Sequence, residues 1–185
     1  MKVHSLKTLR TFLRDEASEA HALLDSSLRR FDLSSRTGYA RFLAWQLEAR
    51  MPVEEWLAGH FDPSVTPPAS APALLGDLAR LRLPIFIPHI PFDVPADADA
   101  IGVAWGIAGS HLGNRAILAQ LRKNGASWPT HFLGDERMTA FWKGLLPALD
   151  REVTADRAER AVIAARALFK HFHAILEGGD GKIAA

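Results

Sequence analysis

Two groups of residues in this chain have types and spacings that could do chemistry. The first is His21 with Arg14. Leu6, Leu9, Leu13, Ala17, Ala20, Leu24, Leu28 and Phe31 recur at helical spacing and predict one long opening helix with an apolar stripe. His21 falls at the edge of that stripe, and Arg14 lies two turns earlier on the same edge. A neutral imidazole there offers a ring nitrogen to a metal. A cation on the same line suits a ligand with a metal centre and an acidic rim. The same two residues also read as an edge histidine and a solvated arginine. The second group lies in and around "AWGIAGSHLGNR", residues 104–115. Gly102, Gly106, Gly109 and Gly113 fall within a sector of about 60° at 3.6 residues per turn, with Ser110 beside them. Against alanine, four helical glycines cost together roughly 4 kcal/mol. A domain's total stability is only about 5–15 kcal/mol. Something must therefore approach this bare backbone closely. It is either another helix, as in small-xxx-small contacts, or a flat ligand over which the helix bends.

The elements that must position these residues are all helical. "DLSSRTGYARFLAWQLEARMPVEEWLAGHF" starts at candidate caps Ser34 and Ser35, and Pro52 should kink or divide it. "DPSVTPPASAP" reads as a loop and "ALLGDLARLRL" as a short helix. "PIFIPHIPF", with Pro84, Pro88 and Pro91, reads as an extended segment on the core. The glycine helix should start near Ala96 or Asp97 and stop near Asn124 and Gly125. "GDERMTAFWKGLLPAL" is a further helix. The last is capped by Thr154 and ended by Gly178 and Gly179. The reading is all-α, a single domain over 1–185 with six or seven helices.

Composition narrows the function classes. The 22 Lys+Arg nearly balance 21 Asp+Glu, giving a formal net charge of +1, so no electrostatic case exists for nucleic acid as partner. The absence of cysteine excludes disulfides and thiolate metal sites. The start of the chain is charged and has no apolar signal core, and no run approaches the roughly 20 apolar residues of a membrane span. A cytoplasmic protein is expected. His171 and His173 form H-x-H, but on a helix they point roughly 200° apart and cannot share one metal. Nucleophile-elbow, P-loop and H-E-x-x-H patterns are absent.

Taken in order, the segments resemble a heme oxygenase of the bacterial, biliverdin-producing, phytochrome-associated kind. "LRDEASEAHALLD" resembles that family's opening helix, and "YARFLAWQLEARMPVEEWL" its second, with Tyr39 and a turn near Pro52 and Glu54. "GIAGSHLGNRAIL" resembles the distal helix, matching at Gly109, Ser110, Leu112 and Gly113. "FWKGLLPALD" and "ARALFKHFHAIL" stand where the family has its last two helices. The sequence departs from the pattern at Trp105 (usually tyrosine), Ala108 (glutamate) and Asn114 (glycine).

The resemblance implies a heme-oxygenase-like fold with heme held between the first helix and a kinked, glycine-rich distal helix. Heme would be both substrate and cofactor. With O2 and external electrons, from ferredoxin and its reductase for example, it would be opened to biliverdin, iron and carbon monoxide, and a phytochrome could receive the biliverdin. His21 would ligate the iron, its other nitrogen needing a partner such as Glu19 or Asp25. Gly106, Gly109 and Gly113 would bring backbone to the heme edge, with Gly109, Ser110, Gly113 and Asn114 forming the catalytic wall. Arg14, Arg166 and Lys170 would pair with the propionates. His111 is expected outside the pocket, and Phe169 and Phe172 in the core. Two alternatives stay open: a heme- or tetrapyrrole-binding protein without turnover on the same scaffold, and an all-α module whose glycine stripe receives another helix.

Overall fold

The computed structural model describes residues 7–82 and 90–178. Among them are eight α-helices and no strand: α1 Leu9–Glu16, α2 Ser18–Ser27, α3 Arg36–Ala58, α4 Ala71–Leu81, α5 Ala100–Gly109, α6 His111–Lys123, α7 Glu136–Leu149 and α8 Ala155–Gly178. A 3-10 turn, Leu28–Arg30, follows α2. Buried apolar residues from every helix except α2 form one core cluster, and Ala20 and Leu24 of α2 pack against it.

The predicted opening helix is two. It breaks at Ala17, whose ψ is 2°, where the Ser18 hydroxyl donates to the Asp15 carbonyl at 2.8 Å. A serine that takes a nearby carbonyl competes with the helical ladder. Ser26 and Ser27 do the same to Leu23, at 2.8 and 3.0 Å, where α2 tightens into the 3-10 turn. Pro52 does not divide α3, which runs through it from a cap at Ser35.

The glycine helix is likewise interrupted, at Ser110. The Ser110 hydroxyl donates to Ile107 O at 2.7 Å, and the His111 ring Nδ1–H to Ala108 O at 2.6 Å. The ladder bonds Ser110 N to Gly106 O and Asn114 N to Ser110 O persist at 3.2 and 3.1 Å. The helix also starts later than the sequence predicts, at Ala100. Asp99 caps the Ile101 amide at 3.1 Å and holds Arg157 of α8 at 2.9 Å.

Two long side-chain bonds set the frame around α3. Trp45 Nε1 donates to Phe172 O of α8 at 3.1 Å, and the Tyr39 hydroxyl to Pro129 O at 2.9 Å. Thr154 caps α8 as predicted, accepting from Arg157 N at 3.3 Å. Most of the proline-rich stretch read as extended lies outside the described residues, as does Gly179. Its end is non-helical, with the Phe92 ring edge-on to Trp56 and His171. No helix among the described residues is long and apolar enough to cross a membrane.

Candidate functional site

α2 and the α5–α6 pair face each other across a cavity of about 450 Å3, floored by α3 and α8. Its size lies within the range of about 300–1,000 Å3 usual for ligand pockets. The walls are mostly apolar. Phe42, Trp45, Trp105, Trp142, Phe169 and Phe172 supply the aromatic part.

His21 stands on the α2 wall. Its side chain is 53% exposed, and Nδ1 lies 3.1 Å from Asp25 Oδ2, one turn on. Nε2 makes no hydrogen bond among the described residues. The ring meets Phe169 edge-on with centroids 5.4 Å apart, which limits its rotation. Of the two carboxylates near His21 in sequence, the structure thus selects Asp25 as its partner.

The four glycines on the opposite side do two different jobs. A Cβ on Gly102 would sit 1.9 Å from the Ala161 carbonyl oxygen, so here the bare backbone admits helix α8. Gly106, Gly109 and Gly113 line the cavity. A Cβ on Gly106 would meet the tip of Leu168 at 2.4 Å, one on Gly109 would touch Trp142 at 3.6 Å, and one on Gly113 would meet nothing within 4 Å. The helix-packing reading of the stripe thus holds at Gly102 and, through Leu168, at Gly106, while Gly109 and Gly113 present bare backbone to the cavity.

Ser110 and Asn114 also line the cavity. Behind Ser110 is the largest fully buried side chain among the described residues, Arg50 of α3, 1% exposed. Its Nη2 donates to Ser110 Oγ at 2.6 Å and its Nε to Gln46 Oε1 at 2.7 Å. Nη1 reaches Ser70 Oγ at 3.5 Å, and the guanidinium lies over Phe132, 5.1 Å from the ring centroid. Burial pushes the Arg50 pKa down to about 10, partly offset by the charge of Glu54. The group is still a cation at neutral pH.

Three cations assigned to the site stand elsewhere. The break at Ala17 removes the premise that Arg14 and His21 share one helix edge. Arg14 is 74% exposed and 3.6 Å from Asp15, and does not line the cavity. Arg166 donates to the Glu16 carbonyl and carboxylate at 2.9 and 3.0 Å, tying α8 to the end of α1. Lys170 is exposed and also absent from the lining. His111 stands outside this cavity but is buried against Trp142, while Phe169 and Phe172 belong both to the core and to the cavity wall.

Arg50, with its neighbour Gln46, is what the sequence reading overlooked. A signal was present. Gln46 and Arg50 continue, four residues apart, the buried stripe of Tyr39, Phe42, Leu43, Val53 and Leu57. Polar residues at core positions of an apolar stripe need a partner or a function.

No protein-family model matches the chain. A curated heme oxygenase of Xanthomonas campestris pv. campestris (strain 8004) is 34% identical over 110 residues, which is 57% of this chain and 66% of that protein. The chain thus spans a little under two thirds of that relative's length. Among solved structures, the NO- and CO-bound heme oxygenase from Neisseria meningitidis matches with a TM-score of 0.75, covering 96% of both chains at 18% identity. The chain has the heme oxygenase fold and is similar in sequence, over part of its length, to a heme oxygenase. The likeness to the Neisseria structure carries the heme oxygenase fold over nearly the whole chain, and the Xanthomonas relative carries the sequence kinship. Of the three departures noted from the heme oxygenase pattern, Trp105 and Asn114 line the cavity, whereas Ala108 is buried and does not.

Proposed function

We propose that the cavity binds heme, with His21 as the iron ligand, and that the protein opens the macrocycle to biliverdin, iron and carbon monoxide using O2 and electrons from an external donor. The observation that carries this reading is the placement of one imidazole, with Nε2 uncommitted, across an apolar cavity from a wall of three glycines. The residues fit the group. A planar apolar ligand needs a smooth wall, and Gly106, Gly109 and Gly113 provide backbone without side chains. Gly113 in particular leaves space that a Cβ would enter unopposed.

When bound, heme supplies the iron at which O2 is reduced and the ring that is oxidised. The chain supplies the rest. Asp25 keeps a proton on His21 Nδ1, which leaves Nε2 as the neutral donor and fixes the ring's orientation. Phe169 braces the same ring from α8. The six phenylalanine and tryptophan side chains and Ile107 keep the walls dry. Ser110 and Asn114 place polar groups on the wall opposite the imidazole, and Arg50 holds the Ser110 hydroxyl from behind. The cations Arg14, Arg166 and Lys170 do not line this cavity.

A hemin titration followed by reductant tests the reading. The proposal predicts a 1:1 complex whose ferric spectrum shows histidine ligation, lost in His21→Ala, and conversion to a verdin on adding ascorbate or ferredoxin, its reductase and NADPH. A complex that is reduced but never loses its Soret band refutes turnover. A failure of hemin to perturb the protein or its own spectrum refutes the site.

A further inference from the structure

We propose that the inner end of the cavity is a binding subsite for a small monovalent anion, built on the Arg50 guanidinium and the Asn114 amide. A guanidinium has five N–H donors. In Arg50 three are directed at protein, all toward neutral oxygens: Gln46 Oε1, Ser70 Oγ and Ser110 Oγ. The other two, one on each terminal nitrogen, have no acceptor among the described residues. Phe132 covers one face of the group.

No carboxylate touches this cation. Glu54 acts on it through space, while its oxygens accept from Ser70 N at 2.8 Å and Ala71 N at 3.5 Å. A small second cavity lies on the other side of Arg50, and its lining includes the titratable groups His111, Arg115 and Asp135. Asp135 is held by Arg137 at 2.6 Å, and His111 is bonded to Ala108 O. A buried charge without a contacting counter-ion is unfavourable, and an anion entering from the cavity relieves it.

The neighbouring polar groups define the subsite's donors. Ser110 gives its own proton to Ile107 O and accepts from Arg50, so it positions the guanidinium and is not itself a donor to an anion. Asn114 lines both cavities alongside Arg50, is 8% exposed, and makes no side-chain hydrogen bond among the described residues. Its NH2 is the second donor. The other walls are mostly apolar, with the Asp25 carboxylate across the cavity on α2 engaged by His21, and such surroundings strengthen attraction to a single charge and admit only a small, weakly hydrated partner. Chloride, bromide, iodide and azide have that chemistry.

The test needs no heme, so its outcome is separate from that of the reading above. Trp45, Trp105 and Trp142 line the cavity, and their fluorescence in the apoprotein reports what enters. In chloride-free buffer, iodide is the anionic quencher and acrylamide the neutral one. The iodide-to-acrylamide quenching ratio is expected to fall several-fold in Arg50→Met and to be largely kept in Arg50→Lys. Asn114→Leu lowers it by a smaller factor without touching the buried cation. An unchanged iodide-to-acrylamide ratio in Arg50→Met overturns the proposal. If that variant does not fold, an unchanged ratio in Asn114→Leu does so.

Discussion

Replacing Gly102 and Gly113 separately by alanine should have opposite effects on stability, although both lie on one bare stripe. At Gly102 the new Cβ would stand 1.9 Å from Ala161 O, whereas Cβ atoms essentially never approach closer than 3.0 Å. α5 and α8 must separate by at least the difference, 3.0 − 1.9 = 1.1 Å. Both partners are backbone-borne, so no rotamer change relieves the clash. The helices are also pinned at this end, by Arg157 Nε to Asp99 at 2.9 Å and Asp99 N to Arg160 O at 3.3 Å. Overpacking of this kind costs about 1–3 kcal/mol. Because the pinned helices resist separation, we expect the upper part, about 2–3 kcal/mol, after alanine's helix preference is counted. At about 2–4 °C per kcal/mol for a chain of this size, Gly102→Ala should melt about 4–12 °C lower. At Gly113 the Cβ meets nothing within 4 Å, so Gly113→Ala should gain up to about 1 kcal/mol from helix propensity. That variant should also bind hemin more weakly, because its methyl enters the cavity. Denaturant unfolding at equilibrium, with a hemin titration of each variant, measures both effects. The reasoning is refuted if Gly102→Ala is as stable as the parent, or if Gly113→Ala is the more damaged of the two.

Other consequences concern single side chains. Asp25→Ala should leave folding intact, since Asp25 and His21 are both exposed, yet alter the ferric hemin spectrum by freeing the imidazole tautomer; an unchanged spectrum would remove Asp25 from its role. Asp77 is fully buried and accepts from His131 N at 3.1 Å, Phe132 N at 2.9 Å and His131 Nδ1 at 2.7 Å. Asp77→Leu orphans the buried Phe132 amide and the partly buried His131 amide and should cost about 2–4 kcal/mol in urea unfolding. Burial holds the His171 pKa below its usual 6.5, against the opposing bond from Nε2 to Ala49 O. The fold therefore favours the neutral ring, and its stabilisation is complete above pH 6.5 and is lost as pH falls through the depressed value. Wild type should lose more stability than His171→Gln between about pH 7 and about pH 5, and equal losses would contradict this.

Much of the arrangement was legible in the residues because it follows from periodicity. The apolar spacing of Leu9, Leu13 and Ala17 and of Phe42, Trp45 and Val53 places helices and core faces, and the caps Ser35 and Thr154 act where expected. The same spacing concealed the breaks. Ser18, Ser26, Ser27 and Ser110 each take a carbonyl one turn back, and this local competition leaves the apolar period intact. Missing the break at Ala17 is what put Arg14 beside His21. The glycine stripe was visible as an energetic cost, but only tertiary contact shows that Gly102 and Gly106 make room for α8 while Gly106, Gly109 and Gly113 line the cavity. Arg50 was hidden for a different reason. Arginine on a helix ordinarily lies at the surface, and its burial depends on Ser110, sixty residues away.

The central claim, that His21 ligates heme which the protein then opens, is tested most directly by single turnover of the hemin complex. Ferric hemin bound 1:1 is reduced under O2 while absorbance and released carbon monoxide are followed together. The account predicts loss of the Soret band, growth of verdin absorbance and one carbon monoxide per heme, with none of these in His21→Ala. Stable reduced heme without carbon monoxide, or full turnover in His21→Ala, would contradict it.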